Sequence, residues 1–133
     1  MIGREYASEQ CFYQDEKTGR EVCQLTNRGN NYHLYFTDNS FTMRDQEIYF
    51  LSDRAAPDIS IFNVYKMDLG SGIITQLTDE PLGLNHRMTK TPDSELIVYI
   101  AGNQVKKLTT SAILPRPSSF RNFRRLEQTQ FLI

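Results

Sequence analysis

Four residues stand out as candidates for contact with a ligand: His33, Arg54, His86 and Arg87. The two histidines are the only ones in the chain. A histidine can serve as base, metal ligand or hydrogen-bond donor. A guanidinium pairs bidentately with a carboxylate. A catalytic metal site ordinarily takes three protein ligands, often histidines, so two histidines do not complete one without carboxylates. Each candidate also has a plainer reading. His33 and His86 fit loop residues bonded to backbone, and Arg54 fits a partner of Asp53 or Asp58 that fixes its own loop. Asp45 and Asp93 stand at matching turn positions, which favours turn capping over acid-base work. Cys11 and Cys23 flank a turn; without a secretory signal they are expected to be reduced, and without a second pair they make a poor zinc motif.

The elements that position these residues are strands. Residues 40–78 read as one four-stranded unit. Phe41-Thr42 is the innermost strand, Glu47-Ile48-Tyr49-Phe50-Leu51 the second, Val64 to Leu69 the third, and Ile73 to Thr78 the outer one. Turn signals separate them at Arg44-Asp45-Gln46, around Pro57-Asp58, and at Gly70-Ser71-Gly72, where glycine tolerates positive φ. Such a meander is the unit that a β-propeller repeats around its axis.

The unit recurs. Asp15-Glu16-Lys17-Thr18-Gly19 and Gln24-Leu25-Thr26 parallel Asp68 to Gly72 and Gln76-Leu77-Thr78. Met88-Thr89, Asp93 to Tyr99 and Val105 to Leu108 parallel Phe41-Thr42, Asp45 to Phe50 and Val64 to Met67, at a spacing typical of propeller blades. The expected fold class is therefore all-β: a β-propeller fragment of about two four-stranded antiparallel blades. Residues 1–108 form the partial propeller, with a hairpin at 11–26, a blade at 40–78 and an incomplete blade at 87–108. Met1 to Gln10 reads as an irregular lead-in. Residues 109–133 break the pattern and read as an irregular tail, either out of frame or native.

In this arrangement Asn27–Asn39, Ser52–Asn63 and Asp79–Arg87 are connections on one face, and they carry all four candidates. Tyr49, Phe50, Tyr65 and Tyr99 sit on strands and read as core.

Composition sets the remaining bounds. With 133 residues, 39% hydrophobic and 11% aromatic, the chain can build a core. A net charge of −1 gives no support for nucleic-acid or anionic-membrane binding through bulk charge. No apolar run reaches the length of a membrane span, and the first residues lack the apolar centre of a signal peptide, so a cytoplasmic location is expected.

Taken together, several motifs resemble the oligogalacturonate lyase family. They are Gly3-Arg4-Glu5, Asp15-x-x-Thr18-Gly19-x-x-Val22-x-Gln24-Leu25-Thr26, His33-Leu34-Tyr35-Phe36-Thr37 with Ser40-Phe41-Thr42, and Tyr49 to Arg54 ahead of Tyr65-Lys66-Met67-Asp68-Leu69. The resemblance covers roughly residues 1 to 108. The Ser-Asp-Arg and Met-Asp-Leu parts are shared with the wider TolB-like propellers, whereas His33 to Thr37 leans toward the lyases.

The resemblance implies the amino-terminal part of a seven-bladed propeller that cleaves oligogalacturonides by β-elimination in pectin breakdown. It implies manganese and a proton-abstracting base in later blades, and hence no cofactor and no complete catalytic centre in this fragment. His33, Arg54, His86 and Arg87 are then candidate contacts to the acidic sugar, and the uncovered blades are expected to self-associate. The alternative is a non-catalytic TolB-like propeller module for protein or glycan binding.

Overall fold

The computed structural model describes residues 1–34, 38–42, 44–110 and 130–132, the last three by backbone. Among these, eleven strands form three sheets and there is no α-helix.

The central sheet is built on β5 (Glu47–Ser52) and β6 (Asn63–Asp68), paired antiparallel from Glu47 opposite Asp68 to Ser52 opposite Asn63. Their sequences do not alternate between apolar and polar, because both faces of the sheet are covered. Tyr49, Leu51 and Val64 pack into one cluster with Met88, Ile97 and Tyr99, while Ile48, Phe50, Tyr65 and Met67 pack into another with Cys23 and Leu25. Phe50, Val64, Tyr65 and Met67 are fully buried. Each such side chain contributes about 1.5–3 kcal/mol of apolar transfer.

On the outer side β7 (Ile74–Gln76) pairs with β6, and β1 (Glu5–Tyr6) adds beyond it, Glu5 opposite Thr75 and Tyr6 opposite Ile74. The N-terminal segment is thus not an irregular lead-in. Backbone bonds from Gly3 N to Gln76 O and from Gln76 N to Arg4 O extend the pairing. The two-residue Glu5-Tyr6 strand is too short for periodicity to reveal; the open edge of β7, with unpaired backbone groups, recruits it.

On the inner side the edge of β5 is covered in two pieces. β4 (Asn31–His33) pairs with Ser52, Leu51 and Phe50, and further along Phe41 bridges Ile48, with Thr42 N bonded to Glu47 O. The inner strand therefore begins at Asn31, inside the segment read from sequence as a connection. Asn31-Tyr32-His33 shows no apolar alternation, so only the pairing partner discloses it.

The hairpin of β2 (Cys11–Gln14) and β3 (Glu21–Gln24) covers one face of the central sheet through Cys23 and Leu25. Phe12 stands opposite Cys23 and Cys11 opposite Gln24, so the two thiols lie on opposite faces of the hairpin. β8 (Asn85–Lys90), β9 (Leu96–Ala101) and β10 (Gln104–Thr109) cover the other face. Among the described residues only one side of β9 is covered, and there Ile97, Tyr99 and Ala101 alternate with half-buried residues. β11 (Gln130–Leu132) runs parallel to β3. The tail is thus not wholly irregular, although 111–129 lie outside the described residues.

The repeats have a physical basis. Asp15 accepts from Thr18 N (2.8 Å) and Thr18 Oγ1 (2.6 Å), and Asp68 accepts from Ser71 N (2.7 Å) and Ser71 Oγ (2.9 Å). Gly19 and Gly72 follow at φ 68° and 73°. Gln24 Nε2 donates to Thr26 O, and Gln76 Nε2 to Thr78 O. Sequence reading aligned Asp45 with Asp93, and here the structure shifts the repeat by one residue. Asp45 and Ser94 both have positive φ, with N–H groups bonded to Thr42 O and Thr91 O, so Asp45 superposes on Ser94. Asp93 caps instead, accepting from Glu95 N at 3.0 Å and from the Thr91 hydroxyl.

Candidate functional site

The C-terminal end of β5 delivers Arg54 beneath the N-terminal segment. Its Nη1 meets Glu9 Oε1 at 2.9 Å, its Nη2 donates to Asn31 Oδ1 at 2.9 Å, and its Nε donates to Ser52 Oγ at 3.1 Å. The two charged side chains are only 3% and 7% exposed. Three aromatic rings surround the guanidinium, its carbon lying 5.2 Å from the ring centre of Phe50, 5.4 Å from Tyr65 and 5.7 Å from Tyr6. Burial lowers the pKa of Arg54, and the charge of Glu9 opposes that shift.

The partner of Arg54 is therefore Glu9, and not Asp53 or Asp58. Asp53, itself fully buried, accepts from Asn30 N (2.7 Å) and Asn30 Nδ2 (2.8 Å). Glu9 Oε2 accepts from Asn27 N (2.9 Å) and Arg28 N (3.2 Å). One ion pair thus joins the N-terminal segment, the 27–31 loop and the end of β5. Gly29 lets the loop approach, since at φ 67° a Cβ would stand 2.7 Å from Asp53 Oδ1.

Above this pair lies a pocket of about 410 Å3, lined by Arg4, Tyr6, Ser8, Glu9, Asn27 and Arg28 among others. Sequence reading missed Glu9 altogether, because a single glutamate in an aperiodic stretch carries no signal. Arg4 was visible only inside the Gly3-Arg4-Glu5 motif.

The other candidates sit elsewhere. His33 ends β4, is exposed, and its Nδ1 hydrogen is donated to the Leu34 carbonyl, leaving Nε2 outward of that bond. His86 and Arg87 belong to β8 and not to a connection, within the irregularity between Asn85 and Met88 where the register with β9 shifts. Their side chains lie outside the described residues. The three connections do share a face: Asp53 N bonds Asn30 O, Leu84 N bonds Phe62 O, and the Tyr32 and Phe62 rings lie 5.3 Å apart. Arg54 is in the pocket and His33 is not among its walls.

Comparison with solved structures places this architecture. An oligogalacturonate lyase in complex with manganese superposes with a TM-score of 0.71 at 22% identity, over 84% of this chain and 29% of that one. An oligogalacturonate lyase from Vibrio parahaemolyticus gives 0.70 at 18% identity, with the same coverage. The chain has the fold of these lyases. It is a β-propeller portion spanning less than a third of their length. No protein-family model and no curated protein matches the sequence.

The first of those oligogalacturonate lyases holds manganese. Among the described residues of this chain no three His, Cys, Asp or Glu side chains converge on a common point. The described residues therefore do not form a seat for that ion. No helix among them is long and apolar enough to cross a membrane.

Proposed function

We propose that this chain is the first part of an oligogalacturonate lyase-like propeller and serves the β-elimination of oligogalacturonides in pectin breakdown, in the cytoplasm. The observation that carries this reading is the superposition on two oligogalacturonate lyases over 84% of the chain. In β-elimination from a uronate, the proton removed lies α to a carboxylate. A base must take it while donors or a cation hold the charge that develops. The reading assigns that base, and the manganese, to propeller blades beyond the matched share. This chain contributes two blades of scaffold and one face of connections. His33, His86 and Arg87 remain the candidates for contact with the sugar acid on that face, whereas both terminal nitrogens of Arg54 already have protein partners.

A chimera tests this. Residues 1–110 replace the matched share of an oligogalacturonate lyase, and trigalacturonate turnover is followed by the ultraviolet absorbance of the unsaturated product. Retained turnover is expected; a chimera that melts cooperatively yet turns over nothing would overturn the reading. The 133-residue chain alone is expected to give no enzyme-dependent rise.

A further inference from the structure

We propose that the pocket roofed by the N-terminal segment binds a sugar acid, its carboxylate held by Arg4 and Arg28. The buried ion pair beneath the pocket is charge-balanced: Arg54 meets Glu9. Arg4 and Arg28, both exposed, therefore leave the pocket walls with an excess of two positive charges. Neither forms a salt bridge among the described residues, so both guanidiniums retain donors for a ligand. Arg4 is held in place by its position 4.9 Å over the Tyr6 ring. The Arg28 backbone is fixed by its bond to Glu9.

The volume argues for a molecule and not a lone ion. About 410 Å3 falls in the lower part of the range for small-molecule sites, whereas one water occupies only about 30 Å3. Ser8 and Asn27 add neutral polar groups of the kind that meet sugar hydroxyls. Two guanidiniums select the carboxylate; the neutral polar walls select the hydroxylated body attached to it.

The choice of galacturonate rests on the lyase-like reading, but the test reads binding by the full chain with no turnover involved, so its failure is distinguishable from failure of that reading. Galacturonate, galactose and inorganic phosphate are titrated by calorimetry. Galacturonate is expected to bind measurably and galactose at least about tenfold more weakly, as is phosphate. Arg4→Gln and Arg28→Gln should each weaken galacturonate about tenfold or more, the scale of a charge-assisted hydrogen bond. Arg20→Gln, in the exposed hairpin turn, should leave it unchanged. Because Arg4 and Arg28 are exposed, unchanged melting curves will show that the variants fold. No galacturonate binding, equal binding of galactose or phosphate, unaltered affinity in both pocket variants, or an equal loss in Arg20→Gln would each overturn the proposal.

Discussion

Removing the Arg54 guanidinium leaves the Glu9 carboxylate buried with only two backbone N–H donors. Breaking a buried pair from one side costs about 3–5 kcal/mol, because the remaining charge stays desolvated. Arg54→Met is therefore expected to lose about that much in urea unfolding. Adding Glu9→Gln should recover part of it, a coupling that a double-mutant cycle measures. Sequence reading found Arg54 and offered it the acids nearest in the chain, Asp53 and Asp58. Its real partner is 45 residues away, and only tertiary structure brings the two together. Asp15 and Asp93 lie at the opposite extreme, since their partners are local. Hydrogen bonds from Thr18 to Asp15, and from Thr91 and Glu95 to Asp93, hold both carboxyls below their ordinary value of 3.8. A depressed carboxylate stabilises the fold fully above its unfolded pKa and loses that contribution as the pH falls through the folded one. The Tm gap between the wild type and Asp15→Ala is thus expected at neutral pH and should close as the pH drops below about 4.

At the scale of elements, the outer turns were the most legible part of the chain. Asp-x-x-Thr-Gly and Asp-x-x-Ser-Gly state their own hydrogen bonds, and the Gln-Leu-Thr repeat marks a side chain that bonds two residues ahead. The inner strand was legible only in its Phe41-Thr42 half. Positive φ at Asp45 and Ser94 explains the one-residue shift of the repeat: the two aspartates match by type, but the backbone matches Asp45 to a serine. In the second turn the left-handed conformation belongs to Ser94 and the capping carboxylate to Asp93. The approach of the 27–31 loop to β5 depends on Gly29. Gly29→Ala combines a left-handed φ with a Cβ 2.7 Å from Asp53 Oδ1 and 3.3 Å from Arg54 backbone. A loss of about 1–3 kcal/mol is expected, visible as a lower Tm. It should also open Asn30 amide exchange, because Asn30 N donates to Asp53.

For the whole molecule, the all-β class and stacked sheets could be read from turn spacing, because short strands and glycine turns repeat. Which strand covers which edge could not, since β1 and β11 are recruited from afar by open edges and not by their own patterns. Among the described residues the stack has two flanks with exposed apolar side chains. All four residues of β2 are exposed, with Phe12 at 40% and Tyr13 at 44%, and Val105 on β10 is 73% exposed. Among the described residues β2 and β10 also end their sheets, and strands at a sheet edge are templates for edge-to-edge association. Sedimentation is expected to show concentration-dependent self-association of the 133-residue chain. Lysine at Tyr13 and Val105 should reduce it; a monodisperse monomer across the micromolar range would show that the flanks are inert.

The pairing of β1 with β7 also sets an order of events during synthesis. Glu5 and Tyr6 leave the ribosome long before Ile74 and Thr75, their partners. At about 5–20 residues per second the first-made strand waits on the order of several seconds for its dock to exist. Until then Glu9 has no Arg54 either, and the roof of the pocket has nothing to rest on. The earliest segment of this chain to be made is thus fastened only after the blade beneath it is complete, which makes the closing of the pocket a late report that the central sheet has formed.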